Sequence, residues 1–120
     1  MSIDELQERL MNWLCSDWQV DVVMEGKDIA GYAVYQQRKD EYYPDRTVVY
    51  LRQFYIERDK RNRGLGSLAF RTLANERFPP GSTVVIDALA SNPDGYRFWA
   101  KVGFQPYCTT MHLKYIRDNL

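Results

Sequence analysis

The chain has 120 residues, 45% of them hydrophobic and 27% charged, and its 16 basic and 16 acidic side chains cancel. That length supports one domain, residues 1–120, with a real core, and the balance argues against disorder and against the basic footprint of a general nucleic-acid binder. No apolar run approaches the roughly 20 residues that span a bilayer, and the acidic, amphipathic start "MSIDELQERL" is unlike a secretory signal; the expected address is the cytoplasm, with neither membrane nor nucleic acid as partner.

Ser2 followed by Glu5 makes a capping box, and Ile3, Leu6, Leu10, Trp13 and Leu14 recur on one face, so a first helix is expected from Ile3 to Leu14. In "VDVVMEGKDIAGYAVY" two apolar, β-branched and aromatic runs flank Glu25-Gly26-Lys27-Asp28, the pattern of an antiparallel hairpin. After the polar connection "QQRKDEYYPDR", the run "TVVYLRQFYIE" reads as a long strand. Strict alternation puts Tyr50, Arg52, Phe54 and Ile56 on one side and Leu51, Gln53, Tyr55 and Glu57 on the other.

The basic stretch with Arg58, Lys60, Arg61 and Arg63, closed by Gly64 and Gly66, opens a second helix with Leu65, Leu68, Ala69 and Leu73 on one stripe, ending before Pro79. "TVVIDAL" is short and rich in β-branched residues, as expected of a strand buried on both faces inside the sheet. Asn92-Pro93 offers a helix start and Gly103 a stop, and "YCTTMHLKY" a final strand. The expected order is α-β-β-β-α-β-α-β, an α/β (α+β) fold with one mixed sheet. Cys15 and Cys108 lack any zinc or redox spacing and are expected to be reduced and buried; no metal is expected.

Gly64 and Gly66 let backbone amides approach a ligand, and the first-turn N–H groups of the following helix sit at the positive end of its dipole. Together with Arg61 and Arg63 they suit pyrophosphate oxygens; a tight turn with solvated basic neighbours is the plain alternative. No G-K-[ST] follows, which removes a P-loop. "GLGSLA" satisfies the loose G-x-G-x-x-A, with Asp87 about 20 residues on, but the preceding meander is the wrong context for a dinucleotide fold.

"RNRGLG" matches the R/Q-x-x-G-x-G/A element of the GNAT superfamily of N-acetyltransferases, and "NPDGYRFWAKVGF" resembles its later N-x-x-A-x-x-x-Y-x-x-x-G-F block. The resemblance covers most of the chain from the hairpin onward. It implies a mixed, largely antiparallel sheet with helices on both faces, and acetyl-coenzyme A bound where the family's fourth and fifth strands splay. It assigns Phe54, Tyr55 and Ile56 to the pantetheine and thioester, Arg61, Asn62, Arg63, Gly64, Leu65, Gly66 and Ser67 to the pyrophosphate, and Asn92 to the pantetheine; as an ordinary N-cap, Asn92 needs no ligand. The implied reaction is direct attack of a primary amine, on a small molecule or a peptide, on the thioester.

Many members place a tyrosine near the coenzyme sulfur where this chain has Trp99, whose indole N–H donates a hydrogen bond but cannot act as an acid. Tyr96, one turn earlier, is the substitute candidate, and also reads as a packing aromatic. Glu57 and Asp87 are the carboxylates near strand ends from which a base can come, while Gln53 and Tyr50 stand where relatives often carry glutamate, which suggests a water relay. His112, the only histidine, reads as structural.

Asp40, Glu41 and Asp45 around Tyr42 and Tyr43 suggest attraction of a cationic amine. Members commonly begin with a strand and helix that this chain is expected to lack. That leaves three alternatives: a partner subunit, as in a homodimer, completes the acceptor wall; the groove is open; or the chain is an acyl-coenzyme A sensor without turnover.

Overall fold

The computed structural model describes residues 2–14 and 16–117. The chain forms two compact units, Met1–Asp87 and Ala88–Leu120. In the first, α1 (Ile3–Leu14) starts on the expected capping box: Ser2 Oγ accepts the Glu5 N–H at 3.1 Å, and the Ser2 N–H donates to the Glu5 carboxylate at 3.4 Å. Leu6 and Leu10 sit four residues apart on one stripe and pack on Tyr32 and Val34 of the sheet, with Trp13, Trp18, Val20, Ile29 and Tyr55 around them.

The sheet order is β1 (Gln19–Glu25), β2 (Asp28–Lys39), β3 (Thr47–Ile56), β4 (Thr83–Val85). The first three strands are antiparallel, and β4 joins β3 in parallel after the crossover through α2 (Leu65–Arg77). Gly26, at φ +60°, turns the β1–β2 hairpin at the expected place. β2 is the central buried strand, with Ala30, Tyr32, Ala33, Val34 and Tyr35 all in the core. Val34 faces α1. Tyr35 faces the α2 side, its ring 5.4 Å from Phe78, while Phe70 of α2 lies 6.2 Å from Phe54. Helices therefore cover both faces of the sheet.

The Tyr35 hydroxyl, carried to the sheet margin, donates to the Asp21 carboxylate, which Arg77 approaches at 3.3 Å. Burial, then that hydrogen bond, pushes the phenol well above its usual range. In the second unit α3 spans Pro93–Val102; the Asn92 side chain accepts the Gly95 N–H at 3.1 Å, and Gly103, at φ +127°, ends the helix.

Several expectations fail. The segment "TVVIDAL" forms only three residues of strand, at the sheet edge and not inside it, half-buried at Val84 and Val85. "YCTTMHLKY" forms no strand: Tyr107, Met111, Leu113 and Tyr115 are 96%, 87%, 78% and 63% exposed, because a strand exists only where a neighbour accepts its ladder and none pairs here. The described elements thus run α-β-β-β-α-β-α, with one short 3-10 turn, Arg58–Lys60, before α2.

Alternation along β3 also breaks. Val34 pairs with Gln53 but Tyr35 with Leu51, so Arg52 is an extra, bulged residue. Phe54 consequently faces α2, whereas Arg52 and Tyr50 lie with Trp13 and Trp18 on the α1 face. On α2, Leu68 is 63% exposed and Phe70 takes the buried place expected of it. Cys108 is exposed, since the strand meant to bury it does not form; Cys15 lies outside the described residues.

Candidate active site

The glycine loop is built by two left-handed residues, Asn62 at φ +64° and Gly64 at φ +77°. Asparagine tolerates that region, and glycine enters it without steric cost. Gly64 is the N-cap of α2 and provides no side-chain cap; the first helical bond is Leu68 N–H to Gly64 O at 3.1 Å. The N–H groups of Leu65, Gly66 and Ser67 therefore precede any intrahelical partner. Both α1 and α3 have a side chain on their first turn, so α2 alone among the described α-helices opens without a side-chain cap. A Cβ at Gly64 would have nothing within 4 Å, so the space beside Gly64 itself is open. Gly66, by contrast, lies inside the first turn with no positive φ; its part is to keep that turn free of a side chain.

β3 runs past β4. The parallel pairing covers only Val48–Thr83, Val49–Val84 and Tyr50–Val85, and β3 continues to Ile56. On its other side, Glu57 N–H donates to Ala30 O at 2.6 Å, and Ile56 faces Gly31. Ladder alternation then points the Ile56 N–H and C=O away from β2, toward the side β4 leaves uncovered. Phe54 and Tyr55 lie in the same stretch of β3 beyond the β4 pairing.

Three of the four basic side chains, Lys60, Arg61 and Arg63, are already engaged. Arg61 Nε donates to Ile56 O at 2.6 Å and its guanidinium lies 5.3 Å from the Tyr55 ring, fixing the loop to the strand end. Arg63 Nη2 lies 3.2 and 3.3 Å from the two Glu25 oxygens, and Lys60 Nζ lies 3.1 Å from one of them. Lys60 first, then Arg63, holds the Glu25 carboxyl below the usual carboxylate range. The first turn of α2 has no side-chain cap among the described residues.

Glu57 follows directly on β3 and is half-buried. Asp87 accepts the Tyr50 hydroxyl, whose phenol is raised by that bond first and by burial second. Gln53 is half-buried on β3. In the acidic loop, Asp40 Oδ1 accepts the Tyr42 and Tyr43 N–H groups at 2.8 and 3.0 Å, and Arg46 lies 4.0 Å from the Tyr43 centroid. Asp40 thus closes a turn, and the chain's own cation occupies the Tyr43 face, while Glu41 and Asp45 are exposed.

In the second unit Tyr96 is 46% exposed. Trp99 is half-buried between Phe98 and Phe104, at ring distances of 4.8 and 5.2 Å. Asn92 is the N-cap that its position beside Pro93 suggested, and His112 is exposed outside any strand.

Four features escaped the sequence reading. A Cβ on Gly31 would overlap the Tyr55 carbonyl oxygen and lie 2.9 Å from its carbon, so glycine there lets β3 approach beside the Ile56 end. Its signal was a lone glycine in an apolar strand, "DIAGYAVY". Glu25 was read only as a turn residue, although its hairpin end meets the loop cations. The Arg52 bulge, and the stacking of Arg38 and Arg52 on Trp18, had no signal in the spacing.

A family model for the acetyltransferase (GNAT) family matches residues 3–104. A search among curated proteins finds no significant match. Among solved structures, an integron cassette protein from the mobile metagenome of V. cholerae is 17% identical, with 92% of this chain and 72% of that one covered and a TM-score of 0.71. An aminoglycoside acetyltransferase from an uncultured soil metagenomic sample, in complex with sisomicin, is 15% identical over 91% and 72% of the two chains, with a TM-score of 0.70. A putative acetyltransferase from Agrobacterium tumefaciens is 15% identical over 96% and 81%, with a TM-score of 0.71. These likenesses are of fold; the match over residues 3–104 identifies the chain itself as an acyltransferase of the GNAT acetyltransferase family.

Proposed function

We propose that this chain transfers an acetyl group from acetyl-coenzyme A to a primary amine. One observation carries the reading: α2 starts with uncapped amides behind a left-handed glycine, beside a strand that outruns its neighbour. The N–H groups of Leu65, Gly66 and Ser67 bind the coenzyme's diphosphate through the helix terminus. Asn62 and Gly64 shape the approach, and Arg63, with Lys60, adds positive charge beside it. The aminoglycoside acetyltransferase among the structural relatives acts on an amine-bearing small molecule, in keeping with a small-molecule acceptor.

Coenzyme binding supplies an activated thioester. Phe54, Tyr55 and Ile56 line its pantetheine arm. The Ile56 N–H stabilises the negative charge that builds on the carbonyl oxygen as the amine nitrogen attacks. The new C–N bond forms, the C–S bond breaks, and the proton lost by the amine passes to a base. Glu57, next along the chain, takes that role, through water where the distance requires it; the thiol leaves protonated. Asn92, Tyr96 and Trp99 enter the proposal on family resemblance alone, Tyr96 as proton donor to the departing thiolate.

Titration with acetyl-coenzyme A, coenzyme A and NAD, followed by thermal unfolding, tests the cofactor. The two coenzyme A species are expected to raise Tm and NAD to leave it unchanged. Thiol release with a panel of amines tests transfer. Stabilisation by NAD alone would overturn the cofactor reading, and coenzyme binding without thiol release from any amine would convert the reading to that of an acyl-coenzyme A sensor.

A further inference from the structure

On the α1 face of the sheet, two guanidinium groups converge on one indole. Arg38 lies 5.5 Å from the Trp18 centroid and 4.9 Å from that of Tyr50; Arg52 lies 5.8 Å from Trp18 and 5.2 Å from Trp13. The rings themselves interlock, Trp13 on Trp18 at 5.5 Å and Trp18 on Tyr50 at 5.9 Å. The β3 bulge is what turns Arg52 to this face. Among the described residues neither arginine has a carboxylate within ion-pair distance. Arg38 donates from Nε to Gln36 Oε1 at 2.7 Å, and the Asp87 carboxylate accepts the Tyr50 hydroxyl.

Stacking on aromatic faces orients a guanidinium without neutralising it, and its planar fork stays available for an anion. Two like charges 5.5 and 5.8 Å from one ring centre are stabilised by an anion shared between them. The seat lies on β3 itself, beside the stretch that β4 does not cover. From Arg52 to Ile56 is four strand residues, roughly 13 Å at about 3.3 Å per residue.

We infer that the acceptor is an amine that carries its own carboxylate, with Arg38 and Arg52 gripping the carboxylate over Trp18 while the amine reaches the thioester. This rests on the transfer reading above for the amine end; the carboxylate seat is independent of it. A bidentate, charge-assisted contact discriminates against a neutral isostere by about tenfold or more.

The experiment compares Nα-acetyl-lysine with its methyl amide, and 6-aminohexanoate with hexylamine, in thiol release and in quenching of tryptophan fluorescence without coenzyme. The carboxylates are expected to show at least a tenfold higher kcat/KM and carboxylate-specific quenching. Arg52→Gln and Arg38→Gln are expected to abolish that preference with the KM for acetyl-coenzyme A unchanged. Both side chains are exposed, and the neutral amide, handled equally by wild type and variants, controls for folding. Equal kcat/KM for acid and amide, or a preference that survives both substitutions, would overturn the inference. Carboxylate-specific quenching lost in Arg52→Gln, with no turnover of any amine, would uphold the seat and sink the transfer reading; neither quenching nor turnover would sink both.

Discussion

Gly64→Ala and Gly64→Trp, taken as a pair, separate the strain of the loop from the space above it. At φ +77° any residue with a Cβ pays roughly 1–2 kcal/mol for the left-handed conformation. Because nothing lies within 4 Å of that Cβ, a larger side chain meets no protein atom at its base. Both variants should therefore lose about 1–2 kcal/mol in urea unfolding and differ by less than about 0.5 kcal/mol. Coenzyme binding should split them. A methyl group leaves most of the approach to the Leu65, Gly66 and Ser67 amides open, whereas an indole fills it. Loss of two charge-assisted hydrogen bonds, about 1.5 kcal/mol each, predicts a Kd for acetyl-coenzyme A raised about 100-fold in the Trp variant and only a few-fold in the Ala variant. Calorimetric titration reads both. Wild-type affinity in Gly64→Trp would refute the placement of the diphosphate.

Gly31→Ala should cost about 1–3 kcal/mol, since the atoms in its way are the backbone of Tyr55 and Ile56, and it should weaken acetyl-coenzyme A binding by displacing the β3 end; a neutral effect on unfolding would contradict that packing. Leu10→Ala, at a position 1% exposed between α1 and β2, should cost about 2–5 kcal/mol in urea unfolding with the coenzyme Kd unchanged in the folded fraction. Glu25→Gln tests the hairpin-to-loop ion pairs. Because Lys60 and Arg63 hold the folded carboxyl below its ordinary 4.5, their stabilisation is present above about pH 4.5 and is lost as pH falls through the lower folded value. The Tm gap between wild type and Glu25→Gln should be open at pH 7 and close in acid; a gap independent of pH would show that the pairs do not stabilise the fold.

Local signals were legible where one stretch of chain decides its own structure. The Ser2–Glu5 box, the Gly26 turn, and the Asn92 and Gly103 helix limits all stand where propensity and capping place them. The glycine loop was equally legible, because a left-handed Gly64 ahead of a helix needs no tertiary partner to be recognised. What failed depends on partners far along the chain. Residues 107–115 carry strand-forming side chains, but pairing is a property of two segments. The Arg52 bulge is set by the β2 register, which no periodicity within β3 encodes, and it moves Arg52 and Tyr50 to the face opposite Phe54. Arg61 and Arg63 were read as ligand contacts. The Ile56 carbonyl and Glu25, brought close only by folding, already engage them.

A crystal structure with acetyl-coenzyme A bound is the most direct measurement of the central claim. Its diphosphate oxygens should lie within about 3.2 Å of the Leu65, Gly66 or Ser67 nitrogens, with the thioester carbonyl against the Ile56 N–H. A diphosphate bound elsewhere on the protein, with those amides facing solvent, would contradict it.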